Sequence, residues 1–286
     1  MINEDHFERL LAVMRPKLHR YCARVTGSAV DGEDVVQEVL IKAVRARSGG
    51  IDNFEGWLFR VAHNASLDFL RARARSNVVQ FSDDMNVVSD DPQPDVAAVS
   101  FRTFLELPVL QRCAVVLKDV LGHTIEEIAE IADCSAPAAK SALQRGRGRL
   151  RELVDRGLDE VRLPLLDDDE RHRLLAYIDC FRAGDFDSIR QMLADEVRLD
   201  LVNRLRWSGR KEISLYFTRY AEAEHWRYAL GAVDGRPAML VYDSNDPSGR
   251  PAHFVILGWQ AGAISNIQDF LFAPYVMEGA NWVRLD

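Results

Sequence analysis

Apolar positions recurring every three or four residues mark two helical blocks in the first half of the chain. Val36, Val39, Leu40 and Ala43 form one stripe of a helix predicted over residues 31–47, with Asp31 as its cap. Asp34, Gln37, Glu38, Ile41 and Arg45 share another face of it. A second helix is predicted over residues 54–74, burying Leu58, Val61, Ala62, Ala65 and Phe69. Its other face carries Trp57, Arg60, Asn64, Asp68, Arg71 and Arg75 in one row. A ring, an amide and three guanidiniums so arranged can hold phosphates and stack on unpaired bases. A salt-bridged surface has the same spacing. The polar, glycine-rich residues 48–53 before this helix can bring backbone close to a ligand.

The second block opens on Thr124-Ile125-Glu126-Glu127, a capping box followed by Ile128, Ala129 and Ala132 at helical spacing. Asp133-Cys134-Ser135 breaks that helix, and Ser135 caps a new one with Pro137 in its first turn. Helix, three-residue turn and basic second helix is helix-turn-helix grammar, which places Lys140, Ser141, Gln144 and Arg145 where major-groove contacts lie. Arg147, Arg149 and Arg151 extend the basic run with no acid between them. Gly146 and Gly148 each cost about 1 kcal/mol inside a helix, which predicts a soft segment beyond Arg145.

Between the blocks, residues 76–100 break the period, contain two prolines and carry acids but no base, the composition of a linker. A second boundary falls near Pro164, after Arg162-Leu163. Beyond it the texture becomes α+β. Helices are predicted over 168–182, 186–194 and 211–224, and strands over 197–202, 226–233, 236–242, 251–259 and 263–270. Asp234-Gly235 between two alternating runs reads as a hairpin turn.

Composition changes this picture little. The chain has 286 residues, 48% hydrophobic and 28% charged, as ordinary globular domains do. No apolar run is long enough to span a bilayer and no basic-then-apolar leader begins it, so a cytoplasmic protein is expected, without a membrane partner. The four scattered cysteines, Cys22, Cys113, Cys134 and Cys180, are expected to be free thiols. No metal or cofactor motif is present. The net charge of −8 disfavours independent binding to nucleic acid, while the local basic stripes favour specific docking on it.

Taken together, DGEDVVQEVLIKAV (31–44), FEGWLFRVAHNASLDFLRARAR (54–75) and residues 107–153 resemble an extracytoplasmic-function (group IV) sigma factor of the sigma-70 family. The resemblance implies a region 2 domain over 1–76, an acidic linker over 77–100 and a region 4 helix-turn-helix domain over 101–160. It implies that Asp34, Gln37, Glu38 and Ile41 dock on core RNA polymerase. Asn53, Trp57, Arg60, Asn64, Arg71 and Arg75 would hold the melted −10 element with a flipped base. Ser135, Lys140, Ser141, Gln144, Arg145 and Arg147 would read the −35 duplex. The family usually has alanine where Gly146 and Gly148 stand, and glycine where Asp133 stands.

Residues 166–286 resemble a SnoaL-like domain of the nuclear-transport-factor-like superfamily, through 177–201, 233–243 and 267–276. The implied architecture is multidomain: two all-α sigma domains, then an α+β cone of helices and a curved antiparallel sheet. Trp207, Tyr216, Tyr220, Trp226 and Phe254 are candidates to line a pocket for a small-molecule ligand, or simply form core. Asp179, His225, His253, Tyr216 and Asp269 have the residue types of catalytic groups, but none sits in a catalytic motif. The expectation is therefore a sigma factor, not an enzyme, whose appended domain contacts the sigma domains and regulates them in cis. Two rivals share these residues. One is a helix-turn-helix regulator acting without polymerase, which predicts tight DNA binding by the free protein. The other is a SnoaL-like isomerase or cyclase tethered to a DNA-binding module, which needs an essential pocket carboxylate or histidine.

Overall fold

A computed structural model of the chain describes residues 4–46, 51–76, 96, 99–156, 166–223 and 225–286. Most of the acidic linker, the connection at 162–164 and residues 48–50 of the glycine-rich loop lie outside the described residues. Two compact units result, one of residues 1–160 with 278–280, the other of 161–277 with 281–286.

The first unit begins with α1 (Glu4–Thr26), α2 (Ala29–Ala46) and α3 (Phe54–Ser76). Asp31 does not cap α2. Gly27 leaves α1 at φ +80°, so the chain reverses within two residues and the helix starts earlier. Ser28 Oγ accepts from the Asp31 amide at 3.3 Å, and Asp31 is buried in the first turn, 3.6 Å from the Arg73 guanidinium. Then come α4 (Val109–Val115), a wide π turn over Val116–Val120, α5 (Ile125–Ile131) and α6 (Ala136–Asp155). The capping box is present: Thr124 Oγ1 accepts from Glu127 N at 3.2 Å, and Glu127 Oε2 accepts from Thr124 N at 2.8 Å. Ser135 caps α6 through Ala138 N.

The helices that the sequence parts into two blocks share a single hydrophobic core. Met14, Leu18 and Tyr21 of α1 and Phe59 of α3 meet Phe104, Val115, Leu117 and Ile128 in it. Nor does α6 soften at its glycines. A Cβ on Gly146 would fall 2.9 Å from the Gln111 carbonyl oxygen and 2.8 Å from Val115 Cγ2, so the glycine lets α6 lie close against α4. Asp133 holds the turn at φ +50°, the left-handed conformation that a glycine adopts without strain.

The second unit contains α7 (Asp168–Ala183), α8 (Phe186–Met192) and α9 (Arg210–Ala221) over one sheet. Its strands are β1 (Leu193–Leu201), β2 (Leu205–Ser208), β3 (Trp226–Val233), β4 (Arg236–Asp243), β5 (His253–Gln260), β6 (Ala263–Asp269) and β7 (Trp282–Arg284). The sheet order is β2-β1-β6-β5-β4-β3-β7. Helices on one face of a bulged sheet give an α+β architecture, with two corrections to the expected one. β1 runs parallel to β6, because α9 and three further strands return the chain beside it in the same direction. And α8 stops at Met192: Leu193 is already extended, at ψ 136°, and pairs with Ile264. The core packs the helices on one face of the sheet, through Tyr177, Phe181, Tyr216 and Phe217 against Leu230, Met239, Val241 and Val255.

Three predictions follow from this packing. Gly146→Ala should lower the stability of the first unit by about 1–3 kcal/mol, since the obstruction is backbone and cannot rotate away. Asp133→Gly should raise it or leave it level, within about 1 kcal/mol. Denaturant midpoints of the two variants check both. Third, His19 is buried against the Ala29 carbonyl at 2.9 Å, and burial holds its pKa down to about 4. The unfolded chain protonates this ring below about pH 6.5 while the folded one does not, so the stability it provides above that pH is lost as pH falls toward 4. Between pH 7 and 5 the unfolding free energy should drop by about 2 kcal/mol, and by clearly less in His19→Gln.

Candidate nucleic-acid interface

Residues expected to work together lie on three surfaces of the first unit. On α2, Asp34 and Glu38 are exposed, and between acids and bases stand Ile41 and Val44, 48% and 58% exposed. A monomer gains nothing from two such side chains in water, so this acidic-apolar face is suited to a partner. Its other side is occupied: Val35, Val36, Val39 and Ala43 enter the core, and buried Glu33 pairs with Arg15.

On α3, Asn53, Arg60, Asn64, Arg71 and Arg75 are exposed along one side, with Trp57 half-buried and stacked on Phe54 at 5.5 Å and 24°. Asn53 is also the helix cap, its Oδ1 accepting from Gly56 N at 2.9 Å. Asp68 bridges to Arg71 at 3.0 Å, an exposed contact that a phosphate could replace. The buried side of α3 is set by Leu58, Phe59, Ala62 and Ala65, while Val61 and Phe69 are only partly covered.

On α6, Lys140, Gln144 and Arg145 are exposed, and Ser141 is half-buried beside them. No ion pair among the described residues engages Lys140 or Arg145. Arg147 is different. Its Nε donates to Asp119 Oδ2 at 2.9 Å and its Nη2 to Asp119 Oδ1, so it ties α6 to the π turn after α4. Ser135 likewise spends its hydroxyl on the helix cap.

Several residues that matter here carried no motif in the sequence. Arg112 is 1% exposed and donates to three backbone carbonyls, those of Val25 at 2.6 Å, Leu105 at 3.0 Å and Leu107 at 2.9 Å. Tyr21 shares a hydrogen bond with His63 Nδ1 at 2.8 Å and donates to Cys113 Sγ at 3.2 Å. Burial pushes the Cys113 thiol up and Cys22 to about 12, so both are unreactive thiols in the folded chain. His123 meets the Phe59 ring edge-on at 4.8 Å. Around it lies a cleft of about 480 Å³, walled by Asn53, Trp57 and Arg60 on one side and His123, Glu127 and Glu130 on the other.

In the second unit the expected pocket set divides. Tyr216 and Tyr220 are on the helix-covered face, with Trp207 and Trp226 partly buried at the edge of the same core. Phe254 is on the opposite face, stacked on Phe270 at 4.2 Å, because neighbouring strand residues alternate between faces. Of the catalytic types, Asp269, His253 and Tyr216 come together with Tyr220. Asp269 Oδ2 accepts from the Tyr216 hydroxyl at 2.9 Å and the Tyr220 hydroxyl at 2.7 Å, while His253 Nε2 is 2.9 Å from that second hydroxyl. Leu271 N donates to Asp269 Oδ1 at 2.9 Å. These groups satisfy one another in the dry interior, which is how a buried polar network becomes structural. Asp179 instead pairs with Arg182 on the surface, and His225 lies against Trp226.

Comparison with known proteins finds relatives over both helical blocks. Residues 10–76 match the family model of Sigma-70 region 2, and residues 102–150 that of Sigma-70 region 4. The ECF RNA polymerase sigma factor SigG of Mycobacterium tuberculosis is 27% identical over 90% of this chain and 79% of its own length. The ECF RNA polymerase sigma factor SigM of the same organism is 31% identical over 52% of this chain and 76% of its own. Among solved structures, the sigma factor RpoE bound to the anti-sigma factor NepR from Bartonella quintana covers 52% of this chain and 96% of its own. Its identity is 26% and its TM-score 0.43. The extracytoplasmic function sigma factor SigJ of Mycobacterium tuberculosis covers 92% and 95%, at 21% identity and a TM-score of 0.36. No helix among the described residues is long and apolar enough to cross a membrane. With regions 2 and 4 both matched, and SigM 31% identical over 76% of its own length, the chain belongs to the ECF sigma factors, the promoter-recognition subunits of bacterial RNA polymerase.

Proposed function

We propose that each surface has its own task in the holoenzyme. The α2 face, through Asp34, Gln37, Glu38 and Ile41, docks on core polymerase. The α3 row, through Asn53, Trp57, Arg60, Asn64, Arg71 and Arg75, holds the melted −10 strand, with exposed guanidiniums for phosphates and Trp57 for a base. The α6 residues Lys140, Ser141, Gln144 and Arg145 read the −35 duplex, with Ser135 fixing the helix start. Arg147 acts on DNA only indirectly, by anchoring α6 through Asp119. The observation that carries this reading is the exposure of Lys140, Gln144 and Arg145 along one side of a helix that begins at a capped turn. In this scheme residues 1–76 and 101–160 act as regions 2 and 4, with 77–100 between them, and the protein works in the cytoplasm, on the nucleoid.

Residues 166–286 act in cis on the sigma regions. A short covalent connection keeps their effective concentration high, so weak docking suffices. Regulation suits this unit better than turnover. The carboxylate and histidine available to an enzyme, Asp269 and His253, are sealed and saturated by Tyr216 and Tyr220. A small-molecule ligand would enter from the Trp207 and Trp226 side, where the aromatic set is partly exposed.

Two experiments test the proposal. Asp34→Lys with Glu38→Lys should abolish pull-down of core polymerase while leaving the helical circular dichroism unchanged; persistent pull-down contradicts the docking assignment. Removing residues after 165 should change transcription from the cognate promoter at least several-fold. Unchanged transcription and unchanged polymerase affinity remove the regulatory role.

A further inference from the structure

Arg147 stands seven residues after Lys140 and three after Gln144, so helical spacing puts it on their face of α6, one turn further along. A free guanidinium at that place would be drawn to phosphate. Asp119 holds it instead. We propose that Asp119 is a specificity-determining residue of −35 recognition. It touches no base, and acts by keeping Arg147 off the DNA backbone and by fixing the rotation of α6. The inference rests on the proposed −35 role of α6 and adds a residue to it.

The pair fixes direction as well as charge. Arg147 Nε donates to Asp119 Oδ2 at 2.9 Å and its Nη2 to Asp119 Oδ1, so the carboxylate takes one whole edge of the planar fork. The Asp119 side chain is 9% exposed and that of Arg147 28%, against 72% and 70% for the surface pair of Asp68 and Arg71. A carboxylate so covered is screened less by water and keeps its partner more firmly. A phosphate could take this guanidinium only by leaving Asp119 covered and unpaired, which is costly.

The backbone is shaped for this contact. Asp119 lies in the π turn over Val116–Val120, where Leu121 N donates to Val116 O at 3.2 Å. The extra residue in such a turn changes the side that Asp119 faces, and single π turns recur at functional positions. The residue before Arg147 is Gly146, which sits against the Gln111 carbonyl oxygen of α4. Successive residues of α6 are thus held on two sides about 100° apart around its axis, which fixes the rotation of the helix. Rotation decides which of Lys140, Ser141, Gln144 and Arg145 meets a base edge.

Freeing Arg147 has two consequences of opposite sign. Any DNA gains a cation, because phosphate contacts carry no sequence information. The cognate duplex loses aligned base contacts as α6 turns. Discrimination therefore falls from both directions, which loss of stability alone would not produce.

Holoenzyme carrying Asp119→Asn tests this on the cognate promoter and on the same promoter with a scrambled −35 element. Affinity for the scrambled promoter should rise about three-fold or more, and the cognate-to-scrambled ratio should fall about ten-fold or more. The slope of log affinity against log salt should steepen by about one unit, the mark of one added phosphate contact. Adding Arg147→Gln should return that slope to the native value, and Asp119→Glu, which keeps the charge, should retain most of the native ratio. Circular dichroism establishes which variants are folded. Arg147→Gln alone should lower the ratio with the slope unchanged, and it decides the matter if Asp119→Asn does not fold. A ratio and slope unchanged in folded Asp119→Asn overturn the proposal. So does a slope flattened by about one unit in Arg147→Gln alone, which makes Arg147 a phosphate contact. A native holoenzyme that does not distinguish the two promoters overturns the −35 reading itself, and this inference with it.

Discussion

A buried guanidinium, that of Arg112, bonds across the two halves of the first unit. Burying a charge is costly unless hydrogen bonds replace its water, and three backbone carbonyls do so here. One of them belongs to the end of α1, so that bond is made only while α4 sits against that helix. Desolvation draws the Arg112 pKa down, and its buried Nε has no hydrogen-bond partner among the described residues. An interaction of this kind specifies an arrangement more than it stabilises one.

That arrangement gives the acidic total a physical role. A net charge of −8 disfavours DNA binding by the chain alone, and the carboxylates of α5 line the same cleft as Asn53, Trp57 and Arg60. What the chain offers first is the acidic-apolar face of α2, where Ile41 and Val44 lie open. Partner first and promoter second is the order that these exposures favour.

Periodicity made the helices legible. The capping box at Thr124 and the cap at Ser135 were readable because local side-chain to backbone bonds need only a few neighbouring residues. The rows on α2, α3 and α6 were readable for the same reason, as spacing along one helix fixes a face. What escaped was set by contacts distant in sequence. Arg112 stands alone in an apolar run, LQRCAVV, the one local sign that its charge must be answered from elsewhere. Gly146 read as a weak point and is instead a close approach to the Gln111 backbone. Arg147 read as a DNA contact and is held by Asp119, from a different helix. In the second unit, β2 and β7 are edge strands of four and three residues, too short to show alternation. Phe254 was grouped with aromatics of the opposite face because composition carries no register.

The account's central claim is that promoter contact at two points arises only when the chain is held by RNA polymerase. Footprinting on its promoter, with and without core polymerase, measures this most directly. Protection over both the −35 and −10 elements with core enzyme present, and over neither with the chain alone at the same concentration, is the predicted result. Firm protection of a short duplex by the isolated chain, unaltered by core polymerase, would contradict it.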